Sequence, residues 1–166
     1  MLIYRQAQPE DAAALLEHLS AVGGETDNLT FGADGFCISN EREARFINRF
    51  IKNEDEIMLV AMDGERVVGN GVIERERIPR LSHRTRLTVT VLRDYWGQGI
   101  GKRLMEMMID FCRRTSAEVI TLEVRADNDR AVSLYTGFGF TVVGRMKKYF
   151  KINGEYHDAF LMELLL

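Results

Sequence analysis

The chain has 166 residues, of which 46% are hydrophobic and 28% charged, and its formal net charge at pH 7 is −3. This length and composition predict one soluble domain over residues 1–166, large enough to bury a core without disulfides or a metal. The mildly acidic balance argues against a surface for nucleic acid or for anionic membranes, and no apolar run is long enough to span a bilayer. The N-terminal residues lack the layout of a signal peptide, so we expect a cytoplasmic protein.

Hydrophobic patterns of period two and period 3.6 predict elements in the order β-α-α-β-β-β-α-β-α-β-β. They are a strand over 2–6, helices over 9–21 and 41–52, strands over 57–62, 66–75 and 81–92, a helix over 99–114, a strand over 119–124, a helix over 128–138, and strands over 140–152 and 156–164. Residues 23–40 are predicted as a loop because Gly-Gly, Asp-Asn and Asp-Gly pairs recur there. This order predicts an α/β fold, in which a central mixed and twisted sheet carries helices on both faces.

The most informative segment runs from Asp94 to Met105, where three alternating glycines join an apolar strand to an amphipathic helix. Glycines at 97, 99 and 101 leave no side chains between the backbone amides and a ligand. A helix N-terminus carries free N–H groups and partial positive charge. We therefore expect the amides from Gln98 to Lys102 to bind an anion such as a pyrophosphate.

Two common nucleotide-binding motifs do not fit this turn. A Walker A loop needs a glycine at the position of Trp96 and a serine or threonine at that of Arg103. The dinucleotide fingerprint needs a third small residue three positions after its second glycine, where this chain has Lys102 or Leu104. The sequence therefore argues against both a P-loop and a Rossmann site.

The turn instead resembles the acyl-CoA turn of the GCN5-related N-acetyltransferase (GNAT) superfamily. That pattern is Gln or Arg, two residues, Gly, one residue, then Gly or Ala, and residues 96–101 read Trp-Gly-Gln-Gly-Ile-Gly. The first position departs from the pattern, while the two small residues are kept. A second element of the superfamily, after an intervening strand, is matched by Asn128, Ala131, Leu134, Tyr135, Gly139 and Phe140. The resemblance covers nearly the whole chain, and its details are similar to the ribosomal-protein N-terminal acetyltransferase and small-amine acetyltransferase branches.

The resemblance implies an acetyl-CoA-dependent N-acetyltransferase with the GNAT fold. An acetyl group would pass to a primary amine of a small amine, an amino acid or a protein N-terminus, by direct attack in a ternary complex. Acetyl-CoA would be the co-substrate and no metal is expected, since His and Cys residues do not cluster. A catalytically silent acyl-CoA-binding sensor or regulatory domain is the alternative. The apolar C-terminal strand over 159–166 offers a surface for pairing across a homodimer.

The resemblance also implies which residues hold the donor. They are Val89, Thr90, Val91, Gly97, Gln98, Gly99, Ile100, Gly101, Lys102, Asn128 and Tyr135. A main-chain N–H between Val89 and Val91 would polarise the thioester carbonyl, at a bulge where two strands separate. The side chains of Val89 and Val91 would also suit a buried strand, and the two interpretations are compatible.

Two residues are predicted to be catalytic, Tyr135 and Glu123. The departing thiolate must be protonated or held by a hydrogen bond, and Tyr135 matches the general acid of the superfamily; the alternative is packing against the pantetheine arm. Many relatives carry a glutamate base near the start of the strand before the turn, but residues 84–86 read Arg-Thr-Arg here. Glu123, which interrupts an apolar strand, is the candidate base. Glu74, Glu76, a water relay or the absence of a dedicated base remain alternatives.

The acceptor is expected between the loop over 23–40 and the hairpin over 147–157. Acidic residues in the loop, among them Asp27, would attract a cationic amine or simply be solvated. Phe31 and Phe36 would line an acceptor pocket or cap the core.

Overall fold

The computed structural model describes all 166 residues. Its strands are β1 (Leu2–Gln6), β2 (Ile57–Asp63), β3 (Arg66–Arg75), β4 (Arg84–Val91), β5 (Val119–Arg125), β6 (Thr141–Ile152) and β7 (Glu155–Leu165). Its helices are α1 (Ala12–Glu25), α2 (Asn40–Ile51), α3 (Ile100–Cys112) and α4 (Asp129–Gly137). The predicted order of elements and the mixed α/β class are confirmed. None of the helices is both long and apolar enough to cross a membrane.

The strands form one sheet in the order β1-β2-β3-β4-β5-β7-β6. Neighbours are antiparallel except β4 and β5, which run parallel and are connected through α3, as a parallel pair requires a crossover. Only residues 84–86 of β4 pair with residues 119–121 of β5. Beyond Arg86 the two strands have no partner in each other, so the sheet opens between them.

Helices cover both faces of the sheet, and strand alternation divides the core accordingly. On β2, Val60 packs into the cluster below α1 and α2, while Ala61 packs into the larger cluster around α3. Leu104 and Met108 of α3 are fully buried, and each such side chain contributes roughly 1.5–3 kcal/mol by leaving water. These two clusters fix α1 and α3 on opposite sides of the opening between β4 and β5.

The expected pairing of residues 159–166 across a dimer is not available in this sheet. β7 lies between β5 and β6 and is paired along both of its edges. The free edges belong to β1 and β6. The strand-pairing prediction is wrong, because the last strand of the chain is not the last strand of the sheet, while a homodimer stays a prediction.

Two predicted boundaries also differ from the structure. α1 continues through Gly23 and Gly24 to Glu25. A Cβ at Gly23 would lie 2.1 Å from the carbonyl oxygen of Gly32, so only a glycine fits there. This glycine lets the following loop pack against the helix and does not end it. The strand predicted from residue 81 begins only at Arg84, because Pro79 opens one turn of 3-10 helix before it.

Candidate active site

The opening between β4 and β5 continues into a cleft of about 660 Å³. Its walls come from the loop after α1, from β4, from the glycine turn with the start of α3, and from α4. The predicted donor residues that line it are Val89, Thr90, Val91, Gly97, Gly99, Ile100, Gly101, Lys102, Asn128 and Tyr135. Gln98 is the exception, because its side chain turns away and donates to the carbonyl of Asp94 at 3.0 Å.

The backbone of β4 presents to this cleft main-chain polar groups that have no strand partner. Leu92 donates its N–H to Val68 at 3.0 Å, which sets the even-numbered residues of β4 against β3. Main-chain groups of alternate residues point to opposite edges of a strand. Those of Val89 and Val91 therefore point toward β5, which has already diverged at this level. This geometry suits a ligand that takes the place of the missing strand neighbour.

Thr90 is held from the opposite side by His18 of α1. The imidazole Nδ1 lies 3.1 Å from the carbonyl oxygen of Val67, and Nε2 lies 2.8 Å from the hydroxyl of Thr90. Because a carbonyl can only accept, Nδ1 carries the proton and Thr90 donates to Nε2. Burial lowers the pKa of His18 to about 4, so the ring stays neutral near pH 7 and the contact persists. Thr90 thus lines the cleft as a fixed wall residue, with its main-chain groups bonded to β3.

The glycine turn leaves the start of α3 uncovered. Gly97 and Gly99 have φ values of 77° and 81°, in the left-handed region that favours glycine. No side chain caps α3, so the first amides of the helix lack an intrahelical partner. Lys102 adds a positive charge to the same wall. The arrangement can hold an anion, as the spacing of the glycines predicts.

Trp96 stands where the superfamily pattern has Gln or Arg. Its indole Nε1–H donates to the carbonyl oxygen of Val91 at 2.8 Å. The guanidinium of Arg130 lies over the ring at 4.7 Å from its centroid, and both side chains line the cleft. Trp96 therefore ties the glycine turn to the end of β4 and holds Arg130 against the cleft wall. Neither Arg130 nor His18 carried a sequence signal.

Replacing Trp96 with phenylalanine should loosen this connection. An aromatic ring remains, although it is smaller than the indole, and the carbonyl oxygen of Val91 loses its donor. This loss lowers the free energy of unfolding by about 1 kcal/mol or somewhat more. We expect a lower urea midpoint and a KM for acetyl-CoA that rises several-fold while kcat changes less. Tyr95→Phe is the control, because its hydroxyl bonds Asp63 at an exposed site and its loss should change stability by under about 0.5 kcal/mol. Wild-type stability and KM in Trp96→Phe would contradict the assignment.

Tyr135 is buried in α4, with 8% of its surface exposed. Its ring packs near Phe140, at 6.0 Å between centroids, and the side chain lines the cleft. Burial raises the pKa of its phenol to about 12. The hydroxyl is therefore protonated near pH 7 and retains a proton to donate. Asn128 accepts the N–H of Ala131 at 3.2 Å and caps the same helix.

Glu123 is the only carboxylate that lines the cleft, and it forms an ion pair there. Its Oε2 lies 2.7 Å from Nη2 of Arg86; 24% of the Glu123 side chain is exposed and 48% of the Arg86 side chain. Arg86 lies near the start of the strand, where many relatives carry the glutamate base. In this chain it contacts the candidate base, Glu123. Glu74 instead pairs with Arg49 at 2.7 Å, and neither Glu74 nor Glu76 lines the cleft.

The predicted acceptor residues separate into two groups. Phe31 lines the cleft, whereas Phe36 is 52% exposed and packs on the Phe31 ring at 4.8 Å. None of the acidic residues of the loop lines the cleft. Glu25 accepts the N–H of Arg93 at 2.7 Å, and the carbonyl of Asp27 accepts from Arg125. The carboxylate of Glu25 is therefore bound outside the cleft, whereas the contact of Asp27 involves its main chain only.

Both the sequence and the fold of this chain match known acetyltransferases. Residues 26–140 match the acetyltransferase (GNAT) family. The N-alpha-acetyltransferase RimI of Mycobacterium tuberculosis is 36% identical over 116 residues, which cover 69% of this chain and 70% of that protein. The L-amino acid N-acetyltransferase AaaT of Escherichia coli K12 is 35% identical over 106 residues, covering 63% and 65%. A GNAT-family acetyltransferase structure from Streptococcus pneumoniae superposes with a TM-score of 0.96 at 30% identity, over the full length of both chains.

The opened sheet beside a glycine turn, together with these matches, defines an N-acetyltransferase. The chain belongs to the GNAT family, because the family match covers more than half of its residues. The resemblance inferred from the glycine turn and from the Asn128 to Phe140 element is confirmed.

Proposed function

We propose that this enzyme moves an acetyl group from acetyl-CoA to a primary amine by direct attack in a ternary complex. One observation carries the proposal: a single cleft joins the opened edge of β4, the free amides at the start of α3 and the side chain of Tyr135. The pyrophosphate would lie on the amides from Gln98 to Lys102. The pantetheine arm would extend along β4, in the place that β5 leaves open, and bring the thioester near Val89 and Val91.

The reaction needs three groups of the chain: a donor to the oxyanion, a general acid and a general base. The amine nitrogen attacks the thioester carbon, and the resulting oxyanion accepts an N–H of Val89 or Val91. The carbon–sulfur bond then breaks, and the thiolate takes the phenol proton of Tyr135. An acceptor that arrives as an ammonium ion first gives one proton to the carboxylate of Glu123, which passes it to solvent; after the attack the nitrogen gives its second proton to the same carboxylate. Acetyl-amine and CoA leave, and proton exchange with solvent restores both side chains.

Two measurements test the proposal. Acetyl-CoA should raise the thermal midpoint of the protein, whereas ATP or NAD should not. Release of CoA thiol should then be followed with a panel of small amines, amino acids and peptides, since the named activities of RimI and AaaT differ in acceptor. Stabilisation by NAD or ATP without any by acetyl-CoA would reject the proposal, and so would the absence of CoA release with every acceptor.

Replacing Glu123 with glutamine should lower kcat/KM at neutral pH by about 10²-fold, the usual size of a general-base contribution. The variant keeps the shape of the side chain but cannot take the proton of the amine. kcat/KM should be measured from about pH 6 to about pH 10, with acetyl-CoA binding followed separately. Glu163→Gln is a matched control, because that glutamate pairs with Arg84 outside the cleft. An unchanged profile in Glu123→Gln would remove Glu123 from the mechanism and favour a water relay.

A further inference from the structure

The ion pair of Arg86 and Glu123 indicates the class of acceptor. We propose that the acceptor is a free α-amino acid bound as a zwitterion, with its carboxylate on Arg86 and its ammonium group on Glu123. This inference rests on the proposed function and deepens it, because it selects one kind of amine. A simple amine and a peptide N-terminus carry the ammonium group without an adjacent carboxylate.

Both charges lie on the face of the sheet that carries α1. Alternate residues of a strand share a face, so Arg86 lies on the side of Thr90, which bonds His18 of α1. On β5, Glu123 shares its face with Arg125, which reaches the carbonyl of Asp27 just after α1 at 3.1 Å. The glycine turn and α3 lie on the other side. Arg86 and Glu123 therefore lie on the opposite side of the sheet from the proposed pyrophosphate site.

The remaining charges of the cleft belong to the donor side. Four charged residues line the cleft, and the other two are Lys102 on α3 and Arg130 on α4. Both are positive, and both lie by the glycine turn, Lys102 in sequence and Arg130 through its contact with Trp96. An acceptor that enters from the α1 side thus meets one positive and one negative group, namely Arg86 and Glu123.

Arg86 has binding capacity that its present contact does not use. A guanidinium offers several N–H donors in a planar fork, and one nitrogen meets Glu123 while about half of the side chain is exposed. Such a group can bind a carboxylate through two parallel hydrogen bonds. Glu123 keeps its second oxygen for an ammonium group. In the structure these two side chains pair with each other.

A zwitterion can exchange partners with this pair without leaving a charge alone. Its ammonium group takes Glu123 and its carboxylate takes Arg86, so all four charges are paired. A simple amine, or a peptide whose first carbonyl is a neutral amide, takes Glu123 and leaves Arg86 without its partner. Losing that partner costs free energy, although water at the half-exposed Arg86 side chain offsets part of the loss. The pair therefore favours ligands that carry both charges on one small framework.

The test compares matched acceptors by release of CoA thiol. Alanine, methionine and phenylalanine are each offered as the free L-amino acid, its amide, the amine without the carboxylate, and a tripeptide beginning with the same residue. We expect the best free acid to exceed its amide, amine and peptide by about tenfold or more in kcat/KM, as one charge-assisted contact would produce. Equal rates for acids and amides, or a preference for the peptide, would overturn the inference and leave the proposed function intact.

A variant assigns the preference to Arg86. Arg86→Gln should lower kcat/KM for free acids by about tenfold or more, mainly through KM, and change that for amides and amines by less than about threefold; Arg86→Lys should recover part of the loss. Arg84→Gln is the matched control, since Arg84 lies on the same strand and face and pairs with Glu163 outside the cleft. An equal loss for every acceptor in Arg86→Gln would show that Arg86 only holds Glu123. Absence of CoA release with all acceptors would mean that the proposed function fails, and this inference with it.

Discussion

Replacing Tyr135 with phenylalanine should lower kcat by about 10²-fold or more, the range in which a general acid contributes. The ring would keep its place in α4 and its packing near Phe140, while the thiolate of CoA would lose its proton donor. Folding should be nearly unaffected. Burial alone shifts the pKa of this phenol, and no hydrogen bond to the hydroxyl would be broken. Steady-state kinetics on the best acceptor, with acetyl-CoA binding by thermal shift, checks both parts.

The pH dependence follows from the raised pKa of Tyr135. Its pKa of about 12 exceeds the ordinary value of 10.0, so the acid form persists to about pH 11. A fall in wild-type kcat that reports an ordinary tyrosine, with its midpoint at about pH 10, would contradict this environment. The raised pKa also makes stability depend on pH. Above about pH 10 the unfolded chain loses the phenol proton, while the folded chain keeps it until about pH 12, so deprotonation favours the unfolded state. Wild-type protein should therefore lose stability relative to Tyr135→Phe as the pH rises from about 10 to about 12.

The control for this variant is Tyr156→Phe. Tyr156 is 52% exposed on β7 and does not line the cleft, so the loss of its hydroxyl should leave kcat unchanged. Full turnover by Tyr135→Phe on the same acceptor would refute the proposed acid. Tyr135 would then serve only to pack against the pantetheine arm.

The parts of the fold that sequence predicted are those encoded by local patterns. Strand alternation and helical stripes give the element order, and residues 97–101 mark the turn by spacing alone. Local patterns give a wrong boundary where residues distant in sequence pack against an element. α1 continues through Gly23, where the loop at Gly32 packs directly against the helix. The low helix propensity of two adjacent glycines predicts instead that the helix ends there.

The electrostatics of the site depend on register, which one sequence does not contain. Arg86 and Glu123 are far apart in the chain and meet because residue 86 pairs with residue 121 at the end of the parallel ladder. The contact of His18 with Thr90 likewise depends on how α1 lies across β3 and β4. Residue types and spacing therefore predicted the residues of the proposed donor side, whereas the pairing of Arg86 with Glu123 on the proposed acceptor side required the three-dimensional arrangement.

Placing an aspartate at Gly101 should separate donor binding from folding. Gly101 lies in the first turn of α3 and does not have a positive φ. A Cβ there would lie 3.6 Å from Leu134 and 3.8 Å from Val91, at ordinary contact distances. The fold can therefore accept a side chain at this position. That side chain would stand on the cleft wall where the pyrophosphate is proposed to bind.

The expected result is a loss of acetyl-CoA affinity of about 10²-fold in Gly101→Asp with an unchanged or higher thermal midpoint. A carboxylate near a pyrophosphate adds repulsion of a few kcal/mol at an effective dielectric constant of about 20. The same carboxylate in the first turn of α3 interacts favourably with the helix dipole, by about 0.3–1 kcal/mol. Binding and stability should thus move in opposite directions, which general damage to the fold would not produce.

Gly101→Asn separates charge from size, because it has the shape of the aspartate without its charge. It should bind acetyl-CoA about tenfold or more better than Gly101→Asp, and the gap should narrow as salt screens the repulsion. Equal but reduced affinities in the two variants would mean that the loss comes from the size of the side chain and not from its charge. Wild-type affinity in both would move the donor away from the start of α3, since a side chain at residue 101 occupies the wall that the pyrophosphate needs.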